Sequence, residues 1–381
     1  MGNVPCKNLQ VLRKRDDDDD DDDDELIDKE IRDQIDAAFD TLQKDENCNS
    51  LLKKHLTPDI FDLVKKKTSL YGATLLDVIQ SGVRNLDSEV GVYAPDAESY
   101  TVFAPLLDRI ISEYHGGFTL IDRHPPCNYG DPSEIGNLDT EGRFVLSIRI
   151  RCARSIQGYP LNALLTRDQY SGIESRMFTT LGRLQGDVAG DYYPLTIMPD
   201  EVRRRLTQDN LLFKEGDRFM QAANGCRDWP MGRGVFSNAD RTFVIWVNEA
   251  DHVRVLSVEQ GGDLGAAYER LVDGLTQLED KVTFSHSSRF GFITFSPTEL
   301  GTTVRASVRL RLPRLTNETT KLQELANKLR LRIRGTEGEQ HEVQGGVVDV
   351  RNHETLGLSE FDSVRQVADG VRELIRMEKF S

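Results

Sequence analysis

The sequence predicts an α+β protein, in which a small all-helical N-terminal domain precedes a larger domain with a mostly antiparallel sheet flanked by helices. The 381 residues, 38% of them hydrophobic, suffice for one large or two ordinary domains. Apolar side chains recur at helical spacing up to about residue 116, and the alternation typical of strands begins near residue 144. Strand pairs that read as hairpins, with helices set apart from them, favour an antiparallel sheet.

Residues 1–30 are predicted to form a disordered acidic tail. They include the aspartate run Asp16–Asp24, and such a block of like charges repels itself and cannot pack. A site for cations or for a basic partner is the alternative role of this run. The opening "MGNVPCK" places Gly2 where N-myristoylation occurs, and Cys6 is a candidate for palmitoylation. We therefore expect a cytoplasmic protein, with membrane contact through a lipidated N-terminus as an open alternative.

Residues 31–117 are predicted to be the helical domain. In "IRDQIDAAFDTLQ", the apolar side chains of Ile31, Ile35, Phe39 and Leu42 lie on one face of a helix. The stretch "SYTVFAPLLDRIISEYHGGF" continues this pattern and ends at two glycines, which stop a helix. The acidic, turn-rich stretch "NLDSEVGVYAPDAESY" between them is predicted to be a loop.

Residues 144–381 are predicted to form the larger domain. Alternation in "RFVLSIRIRCAR" places Arg149 and Arg151 on one face of a strand and Ile148 and Ile150 on the other. Further strands are predicted in "RTFVIWVNE", "KVTFSHSSRFGFITFSP", "TVRASVRLRLPRL", "RLRIRG" and "GGVVDVRN". Helices are predicted in "YSGIESRMFTTLGRL", "AAYERLVDGLTQLEDKV", "TKLQELANKL" and "SEFDSVRQVADGVRELIRMEKF".

Composition argues against several classes of protein. No run of residues is long and apolar enough to span a membrane. The five cysteines form no CxxC pair, which argues against a zinc site or a disulfide framework and favours a reducing cytosolic compartment. The net charge of −15 argues against nucleic-acid binding through overall charge. The basic run "VRRRL" at 202–206 keeps that function only as the last of three hypotheses.

Arginines recur on the predicted strands and point to an anionic ligand. Arg149 and Arg151 share one strand face, as do Arg305 and Arg309. A solvated outer face explains any one of them, but several strands carrying arginine favour a common ligand such as phosphate, which guanidinium groups bind in a bidentate manner. No GxxxxGK[ST] and no strand–GxGxxG–helix motif is present. Phosphates would therefore be held by side chains rather than by a glycine-rich loop.

Four segments resemble those of the ATP:guanidino phosphotransferases, the phosphagen kinases: "AANGCRDWPMGRGVF", "FVIWVNEADHVRVLSVEQGGDLG", "SPTELGTTVRASVRLRLPRL" and "IRGTEGEQHEVQGGVVDV". The loop "NLDSEVGVYAPDAESY" is most similar to that of the arginine kinase branch. The resemblance extends from about residue 35 to 381. It implies a helical domain before an α+β catalytic domain, and reversible transfer of the γ-phosphoryl group of ATP, bound with Mg²⁺, to the guanidino group of L-arginine or another guanidino compound.

The resemblance also implies the positions of the nucleotide and metal sites. Nucleotide binding falls on a group of polar residues: Ser147, Arg149, Arg151, Asn210, Arg254, Arg305, Arg309 and Arg334. Of these, Asn210 and Arg309 stand where the family has histidines, so nucleotide affinity is expected to be altered. Glu249 and Asp251 match positions that organise the magnesium shell through water, as suits an ion that keeps several waters.

On the acceptor side, the resemblance places Glu339 at one of the two carboxylates that handle the guanidinium. The second carboxylate position holds Ala250, and the family's cysteine position holds Ser296. Substrate binding falls on Glu89, Gly91, Tyr93 and Glu339, with Glu89 where the arginine kinase pattern prefers glycine. Two hypotheses follow: an active but weakened phosphotransferase, or a nucleotide-binding pseudoenzyme that acts as a sensor, scaffold or heterodimer partner. A monomer or a homodimer is compatible with either.

Overall fold

The computed structural model describes residues 27–335 and 345–380. The tail with Gly2, Cys6 and the aspartate run therefore lies outside the described residues, as does Glu339. The helical domain comprises α1 (Lys29–Lys44), α2 (Leu51–His55), α3 (Pro58–Val64), α4 (Leu75–Arg84), α5 (Ser99–Val102) and α6 (Ala104–Tyr114).

Helix α1 shows why this sequence forms helices here. The Asp28 side chain accepts a hydrogen bond from the Glu30 backbone N–H and so satisfies a free donor of the first turn. The predicted apolar face is confirmed, since Ile35 and Leu42 are buried and Ile31 and Phe39 pack against the same cluster. Helix α6 ends just before Gly116 and Gly117, as predicted.

The larger domain is built on an eight-stranded sheet whose strand pairs are all antiparallel, and this confirms the predicted fold class. Its strands are β1 (Val145–Arg154), β2 (Gly190–Pro194), β3 (Gly234–Asn238), β4 (Phe243–Val247), β5 (Val253–Gln260), β8 (Arg305–Arg311), β9 (Leu331–Arg334) and β10 (Val347–Asn352). They are arranged in the order β2-β3-β4-β5-β1-β8-β10-β9. A separate hairpin pairs β6 (His286–Ser287) with β7 (Gly291–Phe292).

The helices of this domain are α7 (Arg167–Leu181), α8 (Asp200–Gln208), α9 (Arg218–Ala222), α10 (Leu264–Glu279), α11 (Thr319–Lys328) and α12 (Glu360–Phe380). Helix α9 packs against α4 of the helical domain, and α8 packs on one face of the sheet with Val244 and Leu256. Helices α7, α10, α11 and α12 cover the other face. Helix α10 packs on β5 and β1, and α12 packs on β8 and β10. Ile148 and Ile150 of β1 are buried in that layer. The period-two pattern then turns Arg149 and Arg151 to the opposite face, where the arginines of neighbouring strands also lie.

One predicted strand is wrong. The segment 281–297 forms only the two-residue strands β6 and β7, although its composition resembles that of a longer strand. Its apolar residues Phe290, Ile293 and Phe295 instead join the core of the helical domain. The backbone of Ile293 donates to the Ser285 carbonyl and that of Phe292 to the Gly301 carbonyl. The side chains of this segment pack against the helical domain, and the segment lacks the regular series of hydrogen bonds that a longer strand would form. Strands β2, β3 and β5 were not predicted. Strand β2 begins with glycine and ends with proline, both poor strand formers.

The two domains share one apolar cluster and several polar contacts. The Tyr100 hydroxyl donates to the Thr294 carbonyl at 2.9 Å, and Arg289 Nη1 lies 2.8 Å from Asp108 Oδ1. These contacts hold the helical domain against the segment 281–297 of the larger domain. Within the described ranges, no helix has the length and apolar composition that a membrane span requires.

Candidate active site

The turn between β4 and β5 is locked by buried hydrogen bonds. Asn248 adopts a left-handed conformation, with φ +56°, which asparagine tolerates better than most residues. Its Nδ2 donates to the Gly232 carbonyl at 2.7 Å and to the Tyr170 carbonyl at 3.2 Å. Its backbone N–H donates to the His252 carbonyl, which closes the turn. The turn therefore presents residues 249–251 in a fixed orientation.

His252 supports this turn and is fully buried. Its Nδ1 accepts a hydrogen bond from the Ile156 backbone N–H at 2.9 Å, which leaves Nε2 to donate to the Pro160 carbonyl at 3.0 Å. Burial lowers the pKa of this imidazole to about 4, so it is neutral at pH 7.

The carboxylates of the turn lie against Arg254. Glu249 Oε2 is 3.1 Å from Arg254 Nη1 and accepts from the Ala250 backbone N–H. Asp251 Oδ1 accepts from the Phe295 backbone N–H at 2.8 Å. Burial raises the pKa of Asp251 to about 7; Arg254 opposes this rise, and the nearby Glu299 and Glu249 add to it. The three carboxylates and Arg254 thus form one electrostatically coupled group.

Arginines from five strands converge beside this group. Arg151 of β1, Arg305 of β8, Arg334 of β9 and Arg351 of β10 line one cavity of about 350 Å³, together with Glu299. Arg254 of β5 is buried next to them and also contacts Glu299. Arg305 is buried, and its Nη1 is a buried donor for which the described residues supply no hydrogen-bond acceptor. We refer to Arg151, Arg254, Arg305, Arg334 and Arg351 as the arginine cluster.

Burial and mutual repulsion lower the pKa values of two members of the cluster, Arg334 and Arg351. Burial lowers the pKa of Arg334 to about 10, and Arg151 and Arg305 act in the same direction. Burial together with Arg305, Arg334 and Arg151 lowers the pKa of Arg351 to about 8. A polyanion bound among these side chains would relieve the repulsion, so the cluster is a strong candidate for a phosphate site.

The cluster is the middle of a continuous groove. A second cavity of about 250 Å³ shares Arg151, Arg305, Arg334 and Arg351 with the first. A third cavity of about 870 Å³ adjoins the second through Arg149, Ser307 and Asp349. The groove thus leads from a large polar pocket, past the arginines, to the pocket that faces the helical domain.

The large pocket collects the remaining residues predicted for nucleotide binding. Ser147, Arg149, Asn210 and Arg309 all line it. Arg149 Nη2 donates to the Asn210 carbonyl at 3.1 Å, and the left-handed φ of +55° at Asn210 orients that carbonyl. Arg309 forms a two-point ion pair with Asp349, at 3.2 and 3.3 Å. The pocket has room for a base and a sugar, with a guanidinium available for stacking.

The cavity of about 350 Å³, at the other end of the groove from the large pocket, is bounded on one side by the loop of the helical domain. Glu89, Gly91 and Tyr93 line it with Ser296. The Leu51 and Leu52 backbone N–H groups at the start of α2 donate to the carbonyls of Glu89 and Val90. These bonds hold the loop backbone, while the Glu89 side chain is exposed. An ion pair between Asp87 and Arg218 ties the loop to the larger domain.

Two predicted acceptor-side positions have structural roles here. The Ala250 methyl group packs against the apolar cluster shared by the two domains. Ser296 caps the short 3₁₀ turn 297–299, its hydroxyl 2.9 Å from that of Thr298. The structure therefore shows Ser296 at the pocket wall and Ala250 in an apolar contact.

Three charged residues of the groove were missed by sequence reasoning: Glu299, Asp349 and Arg351. Strand periodicity could have found two of them, because Asp349 pairs with Arg309 and Arg351 with Ser307 across β10 and β8. Glu299 belongs to a short 3₁₀ turn rather than to a strand, so no periodic signal marks it.

A metal ion would have few direct protein ligands in this groove. In the described part of the chain, no group of three or more histidine, cysteine or acidic side chains has a geometry that could hold a metal ion. The carboxylates of Glu249 and Asp251 supply the oxygen chemistry that Mg²⁺ prefers, and this ion commonly keeps several waters. The residues present therefore fit a metal that arrives with phosphates and contacts the protein through water.

Comparisons with known proteins agree with this arrangement. The family model "ATP:guanido phosphotransferase, C-terminal catalytic domain" matches residues 172–381, and that of the N-terminal domain matches 46–112. Arginine kinase from Limulus polyphemus is 52% identical over 354 residues, which cover 93% of this chain and 99% of the relative. Arginine kinase from Pachygrapsus marmoratus is 53% identical over 346 residues, covering 91% and 97%.

Solved structures show the same fold. The crystal structure of lombricine kinase superposes with a TM-score of 0.82 at 33% identity, covering 89% of this chain and 95% of that one. The substrate-free duplicated taurocyamine kinase from Schistosoma mansoni gives a TM-score of 0.84 at 36% identity and covers 90% of this chain. This chain spans about half the length of that duplicated protein, 49%.

Proposed function

The chain belongs to the ATP:guanido phosphotransferase family and is a guanidino phosphotransferase enzyme, and on that premise we propose that it phosphorylates L-arginine reversibly from magnesium ATP. Relatives named arginine kinase cover nearly the whole chain at 52% identity, which supports this acceptor over other guanidino compounds. The comparisons give no support to the alternative of a nucleotide-binding pseudoenzyme.

The observation that carries the proposal is the position of the arginine cluster between two pockets. The large pocket at Arg149 and Arg309 takes the base and sugar, and the pocket at Gly91 and Tyr93 takes the acceptor. The γ-phosphoryl group would then lie among arginines from several strands. Phosphoryl transfer needs chiefly alignment of the two substrates and stabilisation of charge on the transferred oxygens. Fixed guanidinium groups in a partly buried cavity supply both.

The acceptor guanidinium must be oriented and must lose a proton. Glu339 is proposed to hold it, and the second family carboxylate is replaced by Ala250. Removal of a positioned general base typically costs roughly 10²–10⁴-fold in rate. We therefore propose an active enzyme whose turnover is limited at the acceptor side, while phosphate positioning remains intact.

Magnesium is proposed to enter with the nucleotide. When bound, it would neutralise part of the charge of the phosphates. Glu249 and Asp251 would orient its water ligands, and Arg254 would hold both carboxylates in place through the contacts at 3.1 and 3.9 Å.

The N-terminal segment carries a separate proposal. Myristoylation at Gly2, with palmitoylation at Cys6, would give a cytoplasmic enzyme a membrane contact, since one acyl chain alone binds only marginally. Labelling with a myristate analogue, compared with Gly2→Ala, tests this. Loss of the label in the variant is the expected result, and an unlabelled wild type would contradict the proposal.

The test of the enzymatic proposal is a coupled assay of ADP release with a panel of guanidino acceptors. L-arginine should give the highest kcat/KM, and taurocyamine, lombricine and creatine should give much lower values. A higher kcat/KM for another acceptor would replace the proposed substrate. Absence of phosphoryl transfer to every acceptor would overturn the proposed function.

A further inference from the structure

Glu299 places a carboxylate inside the arginine cluster. Its Oε1 lies 2.8 Å from Arg151 Nη2 and 3.4 Å from Arg305 Nε. Its Oε2 lies 3.1 Å from Arg254 Nη2. Both oxygens therefore engage guanidinium groups that are proposed to bind phosphate. The side chain is only 13% exposed, so solvent contributes little to satisfying it.

The surrounding turn keeps Glu299 in this position. It is the last residue of the 3₁₀ turn 297–299, which Ser296 caps. The Thr298 carbonyl accepts from Arg305 Nη2 at 2.7 Å, so the turn itself is bound to the cluster. The fold therefore fixes the Glu299 carboxylate among the arginines, and its position does not depend on the conformation of a flexible surface side chain.

The charge state of the Glu299 carboxylate is that of an anion bound among the arginines. Burial disfavours the carboxylate, but Arg151, Arg254, Arg305 and Arg351 outweigh burial and hold the pKa of Glu299 far below its usual range. Glu299 is therefore ionised whenever the protein is folded near neutral pH. A carboxylate held in this way is a weak proton acceptor, which argues against a general-base role.

We propose that Glu299 is an internal counter-anion of the arginine cluster that competes with the phosphates of the nucleotide for the same guanidinium groups. This inference rests on the proposed function. In the nucleotide-free enzyme Glu299 holds Arg151, Arg254 and Arg305 in place. Phosphates that bind the same guanidinium groups must displace it or accept its repulsion, so Glu299 weakens nucleotide binding. Its removal leaves the same donors open and adds one net positive charge to the site.

The test compares ATP binding to wild type and Glu299→Gln by titration calorimetry, with magnesium and without acceptor. The variant should bind ATP about tenfold more tightly or better, because a charged competitor for the donors is lost. Its KM for ATP should fall while kcat does not rise. A merely structural role predicts the opposite, since disordered arginines would bind phosphate less well. Equal or weaker binding by a folded variant overturns the inference.

Asp108→Asn is the matched control. Asp108 is also 13% exposed and also pairs with an arginine, Arg289 at 2.8 Å, but it lies outside the groove. This variant should bind ATP as the wild type does. If wild type and Glu299→Gln both fail to bind ATP, the proposed function itself is wrong, and this outcome is distinct from unchanged affinity.

Glu299→Gln leaves the cluster without its counter-charge and so should lower the Tm of the empty protein. Inorganic pyrophosphate should then raise its Tm more than that of wild type.

If Glu299→Gln does not fold, a crystal structure of the wild type with magnesium ATP tests the inference instead. The expected result is that Glu299 lies more than about 4 Å from Arg151 and Arg254, beyond the distance of an ion pair. Retention of all three contacts beside bound phosphates overturns the inference.

Discussion

Arg309 and Asp349 face each other across strands β8 and β10, with Arg309 Nε 3.2 Å from Asp349 Oδ1 and Nη2 3.3 Å from Oδ2. The pair stands at the wall of the large pocket, and the Arg309 side chain is 43% exposed. The two contacts with Asp349 hold one edge of the Arg309 guanidinium and so fix its plane. The rest of the guanidinium remains accessible to a ligand in the pocket.

Removal of the Asp349 carboxylate should therefore change ATP binding more than it changes the free energy of unfolding. Asp349→Asn is expected to lower the free energy of unfolding by less than about 1 kcal/mol, since exposed ion pairs contribute little. The KM for ATP should rise by about threefold, because the freed guanidinium no longer holds one orientation. Arg309→Leu should raise that KM further. Kinetics and urea unfolding check both, and an unchanged KM for Arg309→Leu would exclude Arg309 from the nucleotide site.

Restoring the carboxylate at position 250 should increase turnover. Ala250→Glu is expected to raise kcat with L-arginine by about tenfold or more, towards the roughly 10²–10⁴-fold contribution of a positioned base. Because the Ala250 methyl packs against the interdomain apolar cluster, the larger side chain should also cost about 1–3 kcal/mol of stability. Steady-state rates and thermal unfolding measure the two effects.

Ala250→Gln is the control for this change, since it adds the bulk without the charge and should not raise kcat. Ser296→Cys in combination tests whether a thiol adds to the carboxylate. Equal rates for Ala250→Glu and Ala250→Gln would show that position 250 has no part in proton removal here.

Glycine at position 91 should be required for acceptor binding. Gly91 has φ +85°, and an added Cβ would lie 3.0 Å from Leu52 Cβ and 3.3 Å from Gly82 Cα. Gly91→Ala is expected to cost about 1–3 kcal/mol in strain and to raise the KM for L-arginine, because the loop must move away from α2. The KM for ATP should change less.

Gly72→Ala provides the comparison. Gly72 has φ +79°, and an added Cβ would have no heavy atom within 4 Å. It shares the backbone strain but has open space and lies outside the pocket. Its KM for L-arginine should remain that of wild type. A similar increase in both variants would mean that general destabilisation, and not the loop, sets acceptor affinity.

Acid should destabilise the enzyme through the buried histidine of the β4–β5 turn. The pKa of His252 is lowered from 6.5 to about 4 by burial. Between these values the unfolded chain binds the proton and the folded chain does not, so stability falls as pH falls from 6.5 towards 4. The contribution reaches about 3 kcal/mol once pH is below both values.

Urea unfolding of wild type and His252→Asn at several pH values measures this effect. The variant should be less stable at pH 7, because it loses the bonds to Ile156 and Pro160. Its stability should depend less on pH between 6.5 and 4. Parallel pH profiles for the two proteins would show that another group causes the acid sensitivity.

Local patterns in the sequence were enough to predict the fold class and the location of most charges in the groove. Period-two alternation placed Arg149 and Arg151 on the face opposite Ile148 and Ile150, because side chains alternate across a strand whatever the neighbours are. The apolar face of α1 and the stop at Gly116 followed from helical geometry in the same way. Motif similarity then identified the positions of Arg254, Arg305 and Arg334.

Which of these side chains come into contact depends on the three-dimensional fold and could not be predicted from local patterns. Glu299 contacts Arg151, which lies 148 positions away in the chain, and no local spacing encodes such a pair. The segment 281–297 resembles a strand in composition, but its aromatic side chains are used to pack the two domains together. Periodicity reports the exposure of each face, whereas the partner on that face depends on how distant segments are brought together in the fold.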